Sequence, residues 1–207
     1  MKEFGQYRVV VALPTRGLIF AQTISSLIDN GVQDICIVEG LPLPECHNEA
    51  VKRALEKKPT HVWMVEEDHY YPPGTLKKML DLNAEVACVN YSMRPGGTMP
   101  AIQRRDNRVW FCGTGCMLVE SSIFDRLPEP WFETDKTFDF RTKNVIDRPR
   151  PYGGHDVYFG VKMEQMGVEI MQVPDYQVSH LRCTQLDRIE NNEGCYSINE
   201  IDKLVSP

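Results

Sequence analysis

No run of roughly 20 apolar residues occurs anywhere in the 207-residue chain, so the sequence offers no candidate for a membrane-spanning helix. Basic residues are in the minority, 23 Lys and Arg against 29 Asp and Glu, for a formal net charge of −6. A sequence-independent nucleic-acid binder needs a basic surface and is disfavoured, although a local basic cluster could still meet a nucleic-acid substrate. Paired Cys-x-x-Cys spacings are missing among the seven cysteines, Cys36, Cys46, Cys88, Cys112, Cys116, Cys183 and Cys195, which removes the usual signature of structural zinc. Their odd number and their places inside apolar runs suit reduced thiols behaving as small hydrophobes. The first residues, Met1 to Gly5, lack the charged and apolar regions of a signal peptide. Repeats and low-complexity tracts are also lacking. The expectation from these absences is a soluble, cytoplasmic protein.

A hydrophobic content of 42% and a charged content of 25% suffice for a core of ordinary size, in one domain or one domain with a lid. Arg8 to Leu13 and Asp34 to Val38 read as strands, each followed by a helical pattern. The first helix runs through Ile19, Ile24, Leu27 and Ile28 and closes at Asn30-Gly31; the second spans Pro44 to Lys57. A third strand at His61-Val62-Trp63-Met64-Val65 precedes a helix with Leu76, Met79 and Leu80, and Ala84 to Asn90 is a fourth strand. Strands alternating with helices in this way predict an α/β fold with a mainly parallel central sheet and helices on both faces. The alternation then breaks. Pro95-Gly96-Gly97 reads as a connector, and Ala101 to Arg104 with Val109 to Cys112 as a hairpin turned at Asp106-Asn107. A strand at Cys116 to Val119 leads to a short helix from Ser121. Residues 128–153, with Trp131, Arg141, Lys143, Arg148 and Arg150, read as a long mobile loop. Gly153-Gly154-His155-Asp156 opens a helix, followed by strands over Glu169 to Val173 and Tyr176 to Leu181; the tail from Asp187 is polar.

The densest chemistry lies where the third strand meets Glu66-Glu67-Asp68. Side chains alternate along a strand, so Glu66 and Asp68 should leave on one side and Glu67 on the other. The carboxyl ends of strands are where open α/β sheets bind ligands. Two unit charges about 4 Å apart repel by roughly 1 kcal/mol in water and by about 4 at an effective dielectric of 20. A divalent cation reverses that sign, and hard carboxylate oxygens suit Mn2+ or Mg2+. The bland reading is a solvated acidic turn capping the next helix.

Four features fall in order: a Pro-Thr turn after the first strand, an acid after the second, acid-x-acid after the third, and a glycine-rich Asp helix start followed by a strand His. With these the chain resembles the GT-A-fold glycosyltransferases, especially small single-domain members related to family 2. The matching stretches are VALPTRG (11–17), VEEDHYYPPGTLKKML (65–80), GTGCMLVESSIF (113–124), GGHDVYFGVKMEQMG (153–167) and VPDYQVSHL (173–181). The resemblance implies a single catalytic domain over 1–186, with a nucleotide-binding half (1–90), an acceptor and metal half (91–186) and a C-terminal tail (187–207). It implies a metal-dependent glycosyltransferase that uses a nucleotide-diphosphate sugar as donor. The acceptor is left open among a glycan, a lipid, a protein and a modified nucleic acid. In that scheme Pro14, Thr15 and Arg16 border the nucleotide base, Glu39 contacts it, and Glu66 faces the ribose or the metal. Asp68 and His180 hold Mn2+ or Mg2+ at the diphosphate, and Asp156 is the base that deprotonates the acceptor hydroxyl, with inversion at the sugar carbon. Departures from the family pattern are His155 in place of the first acid of the usual acidic pair, Glu66-Glu67-Asp68 in place of the commoner all-Asp run, Glu39 where an Asp is usual, and His47-Asn48 where an Arg-Asn pair is often seen.

Each assignment has a structural counterpart. Asp156 also reads as a helix cap, His180 as a core histidine, and Arg16 and Glu39 as surface residues. Gly113 and Gly115 around Thr114 suggest close approach of substrate to backbone. Either Trp110 or Trp131 could stack on an acceptor sugar; Trp110 reads better as core, and Trp131, in the loop, is left open between the two roles. Two further functions stand beside sugar transfer: a sugar nucleotidyltransferase, for which Leu13 to Gly17 is too short to supply the Gly-rich loop, and a decayed nucleotide-sugar-binding protein, prompted by His155.

Overall fold

A computed structural model of the chain describes residues 7–93, 99–139, 141–147 and 154–181. Pro95-Gly96-Gly97, Arg148, Arg150, Gly153, Cys183, Cys195 and the tail from Asp187 lie outside the described residues. In chain order the elements are β1 (Val9–Thr15), α1 (Ala21–Asp29), β2 (Asp34–Glu39), α2 (Glu45–Glu56), β3 (His61–Val65) and β4 (His69–Tyr70). There follow α3 (Thr75–Leu80), β5 (Val86–Asn90), β6 (Ile102–Arg105), β7 (Arg108–Cys112), β8 (Cys116–Glu120) and α4 (Ser121–Arg126). The last are β9 (Lys136–Asp139), β10 (Asn144–Asp147), α5 (His155–Gln165), β11 (Ile170–Gln177) and β12 (Ser179–His180).

Eight strands form one mixed sheet in the order β2-β1-β3-β8-β5-β11-β7-β6. β2, β1 and β3 are parallel, as the alternation of strands and helices predicts. β8 lies antiparallel between β3 and β5, and β5 runs parallel to β11. Along β1, Val10 and Ala12 enter one core while Val11 and Leu13 enter the other; Val62 and Met64 against Trp63 and Val65 repeat this on β3. A strand buried on both faces needs apolar residues at every position, which is why these runs are continuous rather than alternating. α2, α4 and α5 contribute to the first core, α1 and α3 to the second. Gly31, at φ 82°, lies beyond the last turn of α1 in the left-handed region that glycine enters at least cost.

Asp106 and Asn107 have φ of 52° and 65°, the pair of positive values that a two-residue type I′ hairpin turn requires. The expected loop over 128–153 needs correction. β9 and β10 pair as an antiparallel hairpin in which Val145 faces Phe138, and both pack on a small cluster of Trp110, Phe111 and Val157. Trp131 is likewise no exposed platform. It is buried at 5% exposure, with its Nε1–H directed at the carbonyls of Phe124 and Leu127 (3.3 and 3.2 Å). The bulk of the indole and the proximity of α4 carbonyls outweigh the loop-like composition around it. Among the described residues, no helix is long and apolar enough to cross a membrane.

Candidate functional site

β3 ends at Val65, so the acids lie in the turn between β3 and β4 rather than on a strand. Strand alternation therefore does not apply to them, and Glu66, Glu67 and Asp68 all line one cleft of about 410 Å3. The expectation that Glu67 leaves on the opposite side is corrected by this placement. The cleft opens at the carboxyl ends of β1 and β3, between Pro14-Thr15-Arg16, the segment Leu41-Pro42-Leu43 and the inner residues His47, His155 and His180.

Asp68 stands between two imidazoles. Its Oδ1 is 3.1 Å from His69 Nδ1, and its Oδ2 is 3.2 Å from His180 Nε2. One ligand atom from each of the three residues lies within 4.8 Å of the others. β12 brings His180 there by pairing antiparallel with β4, in register with His69. The other ring nitrogen of His180, Nδ1, is 2.9 Å from the Ser92 carbonyl. A carbonyl only accepts, so Nδ1 carries the proton and Nε2 of the neutral ring presents a lone pair toward Asp68. Such a support fixes tautomer and ring direction as it does for metal-ligating histidines. His69 is less prepared: among the described residues its buried Nε2 has no hydrogen-bond partner, so moving the ring proton there to free Nδ1 carries a cost.

Burial by itself would raise the Asp68 pKa, but the hydrogen bonds from His180 and His69 outweigh it and hold the carboxyl well below the usual range. For His180, burial acts to lower the pKa, yet the Asp68 hydrogen bond, the Ser92 carbonyl and nearby carboxylates together raise it. Without a cation, these opposite shifts describe a carboxylate–imidazolium pair.

A second group forms the floor of the cleft. Thr114 Oγ1 lies 3.2 Å from both His47 Nε2 and His155 Nε2, and 3.4 Å from Glu66 Oε1. A hydroxyl donates once and accepts twice, so the set closes if both imidazoles donate to Thr114 and Thr114 donates to Glu66. The His47 and His155 rings are 4.2 Å apart at their centroids. Burial, and next the neighbouring His155, push the His47 pKa well below its ordinary value. His47 on α2 and His155 on α5, two of the departures from the family pattern, are thus in direct contact.

Gly113 and Gly115 serve a different purpose from the one expected. A Cβ at Gly113 would fall 2.0 Å from the Tyr91 hydroxyl, and one at Gly115 2.8 Å from the same ring. The close approach is by Tyr91, whose hydroxyl oxygen accepts the Gly115 N–H (3.0 Å). Tyr71 grips the turn from the other side, donating to the Gly115 carbonyl (2.8 Å) and accepting the Glu66 N–H (3.0 Å). Two buried phenols therefore set the position of Thr114 beneath the cleft.

Of the other residues assigned from the sequence, Pro14, Thr15 and Arg16 line the cleft, and the Thr15 hydroxyl is 2.5 Å from Glu67 Oε2. Glu39 is exposed at the end of β2 and is not among the lining residues. Asp156 is half-buried in the first turn of α5, where its Oδ1 accepts the Val157 N–H (2.9 Å). It lies beyond the lining of this cleft, on the side of Tyr91 and Cys112, whose ionisation its charge opposes. Sequence reasoning missed Glu67, His69 and His47 as site members. A composition signal was there to find: four of the five histidines, His47, His69, His155 and His180, gather around this cleft.

No family model matches the chain, and no curated protein sequence matches it. Solved structures do. "A197 from STIV" aligns at a TM-score of 0.60 and 15% identity, over 85% of this chain and 95% of that one. The catalytic domain of Drosophila beta1,4galactosyltransferase 7, in complex with xylobiose, aligns at 0.51 and 13%, over 95% and 79%. Glucosyl-3-phosphoglycerate synthase from Mycobacterium tuberculosis, in complex with Mn2+ and UDP-glucose, aligns at 0.51 and 12%, over 90% and 75%. At these identities the likeness is one of fold. The chain has the GT-A architecture of nucleotide-diphospho-sugar transferases, with an Asp/His cluster in its cleft that has the donors to hold a cation.

Proposed function

We propose that the protein is a metal-dependent glycosyltransferase, moving a sugar from a nucleotide-diphosphate sugar to an acceptor hydroxyl. The observation that carries this is the convergence of Asp68, His69 and His180 at the carboxyl end of β3, in the cleft of a GT-A fold. The carboxylate suits Mn2+ or Mg2+; of the two, Mn2+, a transition metal, accepts imidazole nitrogen beside carboxylate oxygen more readily. When bound, the cation neutralises charge gathering on the leaving diphosphate. Asp68 and His180 hold it, His69 stands as a third ligand, and Glu66 is placed for the ribose or the cation. Pro14 and the Leu41-Pro42-Leu43 segment form an apolar wall suited to a nucleobase. Asp156 is read as the base taking the acceptor proton, from the face opposite the diphosphate, with inversion. The reading keeps one catalytic domain to about residue 186, its donor half in 1–90 and its acceptor half in 91–186.

The decayed alternative predicts a lost acid beside an unchanged neighbour. Here His155 meets His47 and shares Thr114 with it, so its ring is held in a hydrogen-bonded set rather than left in a vacated site. The test is a thermal-shift screen of nucleoside diphosphates with and without Mn2+, followed by turnover of the matching sugar nucleotide. Asp156→Asn should abolish transfer and keep nucleotide binding. A variant with undiminished transfer removes the base assignment, and binding without any turnover of donor favours the decayed protein.

A further inference from the structure

Glu67 spends a nearly buried carboxylate on two consecutive residues, Thr15 and Arg16. At 8% exposure, its Oε2 accepts the Thr15 hydroxyl (2.5 Å) and the Arg16 backbone N–H (2.7 Å), and its Oε1 accepts Arg16 Nε–H (2.5 Å). Its own carbonyl accepts the Phe20 N–H and the Thr23 hydroxyl, both at 3.0 Å, tying the turn after β3 to the turn after β1. Yet the Arg16 side chain is 85% exposed. An exposed arginine ordinarily samples many rotamers, and holding it costs conformational entropy. Here the pivot, Nε, is fixed, while Nη2 is 3.9 Å from Asp68 Oδ2, too far for a hydrogen bond. Among the described residues the outer N–H groups make no hydrogen bond, and Nη2 is held in ion-pair range of Asp68, on the side of the cleft where Asp68 meets His69 and His180.

We infer that Arg16 is a preset diphosphate clamp and that Glu67 is the positioning residue that aims it. The inference rests on the sugar-transfer reading for its ligand. It moves Arg16 from the base, where the family resemblance implies it, to the phosphates. A guanidinium presents parallel N–H donors that match two phosphate oxygens, which an ammonium does not. Charge points the same way. Glu66, Glu67 and Asp68 line the cleft with Arg16 as the cation among its lining side chains besides the histidines. A diphosphate entering against three carboxylates needs both a bound cation and a guanidinium held toward it. Fixing the guanidinium in advance removes an ordering cost that binding would otherwise bear.

The probe is inorganic pyrophosphate titrated calorimetrically in the presence and absence of Mn2+, into wild type, Arg16→Lys, Arg16→Gln, Glu67→Gln and the Arg16→Gln/Glu67→Gln double variant. The expected result is Mn2+-dependent binding by wild type, weakened about 10- to 100-fold by Arg16→Gln and less by Arg16→Lys. Glu67→Gln is the decisive arm. It removes a negative charge beside an anion, so electrostatics alone predicts tighter binding, whereas loss of aim predicts weaker binding. The inference expects weaker binding, and no further loss when Glu67→Gln is added to Arg16→Gln. Melting temperatures of each variant identify any unfolding, including a loss of stability where Arg16→Gln leaves the nearly buried Glu67 without its guanidinium. Unchanged binding by Arg16→Gln overturns the clamp while leaving the sugar-transfer reading intact. Tighter or additive effects of Glu67→Gln overturn the positioning role. Failure of wild type to bind pyrophosphate with Mn2+ overturns the clamp and the parent reading together.

Discussion

His69 and His180 stack at 4.5 Å between ring centroids and 19° between planes, and each hydrogen-bonds one oxygen of the same carboxylate, Asp68. Their registry comes from β4 and β12, two-residue strands whose partners are more than 100 residues apart in the chain. Because His180 is supported through Ser92 and His69 has an orphaned Nε2, the two should not contribute equally. His180→Ala and Asp68→Asn are expected to weaken Mn2+ binding by 10- to 100-fold or about that, and His69→Ala by less. Calorimetric titration of Mn2+ into EDTA-treated protein measures this; equal losses from both histidines remove the distinction.

The same pair predicts how the metal-free protein responds to pH. The His180 pKa is raised above 6.5, so its stabilising contribution is complete below that ordinary value and is lost as pH rises through the folded one. Asp68 is depressed below 3.8, so its contribution is present above 3.8 and is lost as pH falls through its folded value. The stability gap between wild type and His180→Gln, both treated with EDTA, should be widest between pH of about 4.5 and 6.5 and shrink as pH rises through the raised His180 pKa. Mn2+ affinity should run the other way, rising with pH as the Nε2 proton is released. Denaturant melts across pH check the first, and titrations of Mn2+ across pH the second.

Thr114 satisfies two buried imidazoles at once. Thr114→Val keeps shape and removes the hydroxyl, leaving both Nε2 atoms without that partner, and should cost about 2 kcal/mol or more. Thr114→Ser should cost under about 1 kcal/mol, since it retains the oxygen. Chemical denaturation distinguishes them, and similar losses from the two variants would show that the hydroxyl contributes no more than the methyl group.

Legibility followed the range of the interactions. Continuous apolar runs placed β1, β3 and β5, because burial on both faces is written locally. The Asp106-Asn107 turn was visible for the same reason. Nothing local announces that Cys116–Glu120 inserts antiparallel between β3 and β5, since that is decided by pairing with distant strands. Asp68 and His180 were readable as residue types in order. His69 was hidden at the end of an acidic run, because its place depends on β12. Glu67 read as the wrong-facing member of a strand that in fact stops at Val65. Trp131 sat among prolines, so composition suggested a loop where the indole instead fills the core.

Tyr91 links that hidden packing to the site. Its ring meets His69 edge-on at 4.5 Å, its hydroxyl oxygen accepts the Gly115 N–H, and it occupies the space a Cβ at Gly113 would need. Gly113→Ala places a methyl 2.0 Å from that hydroxyl, so the phenol or the turn must shift, at about 1–3 kcal/mol. Tyr91→Phe alone leaves the buried Gly115 N–H unpaired and should cost about the same. In Gly113→Ala/Tyr91→Phe the closest clash is gone, although the ring carbon at 2.9 Å still presses on the new methyl. The double variant should therefore lose less than the sum of the singles, by about 0.5 kcal/mol or more. Denaturant melts of the four proteins give the coupling. Mn2+ titration of Gly113→Ala should show a parallel loss if displacing Tyr91 displaces His69. Strict additivity would mean the turn yields on its own, and that the packing of Tyr91 does not govern the geometry at Asp68.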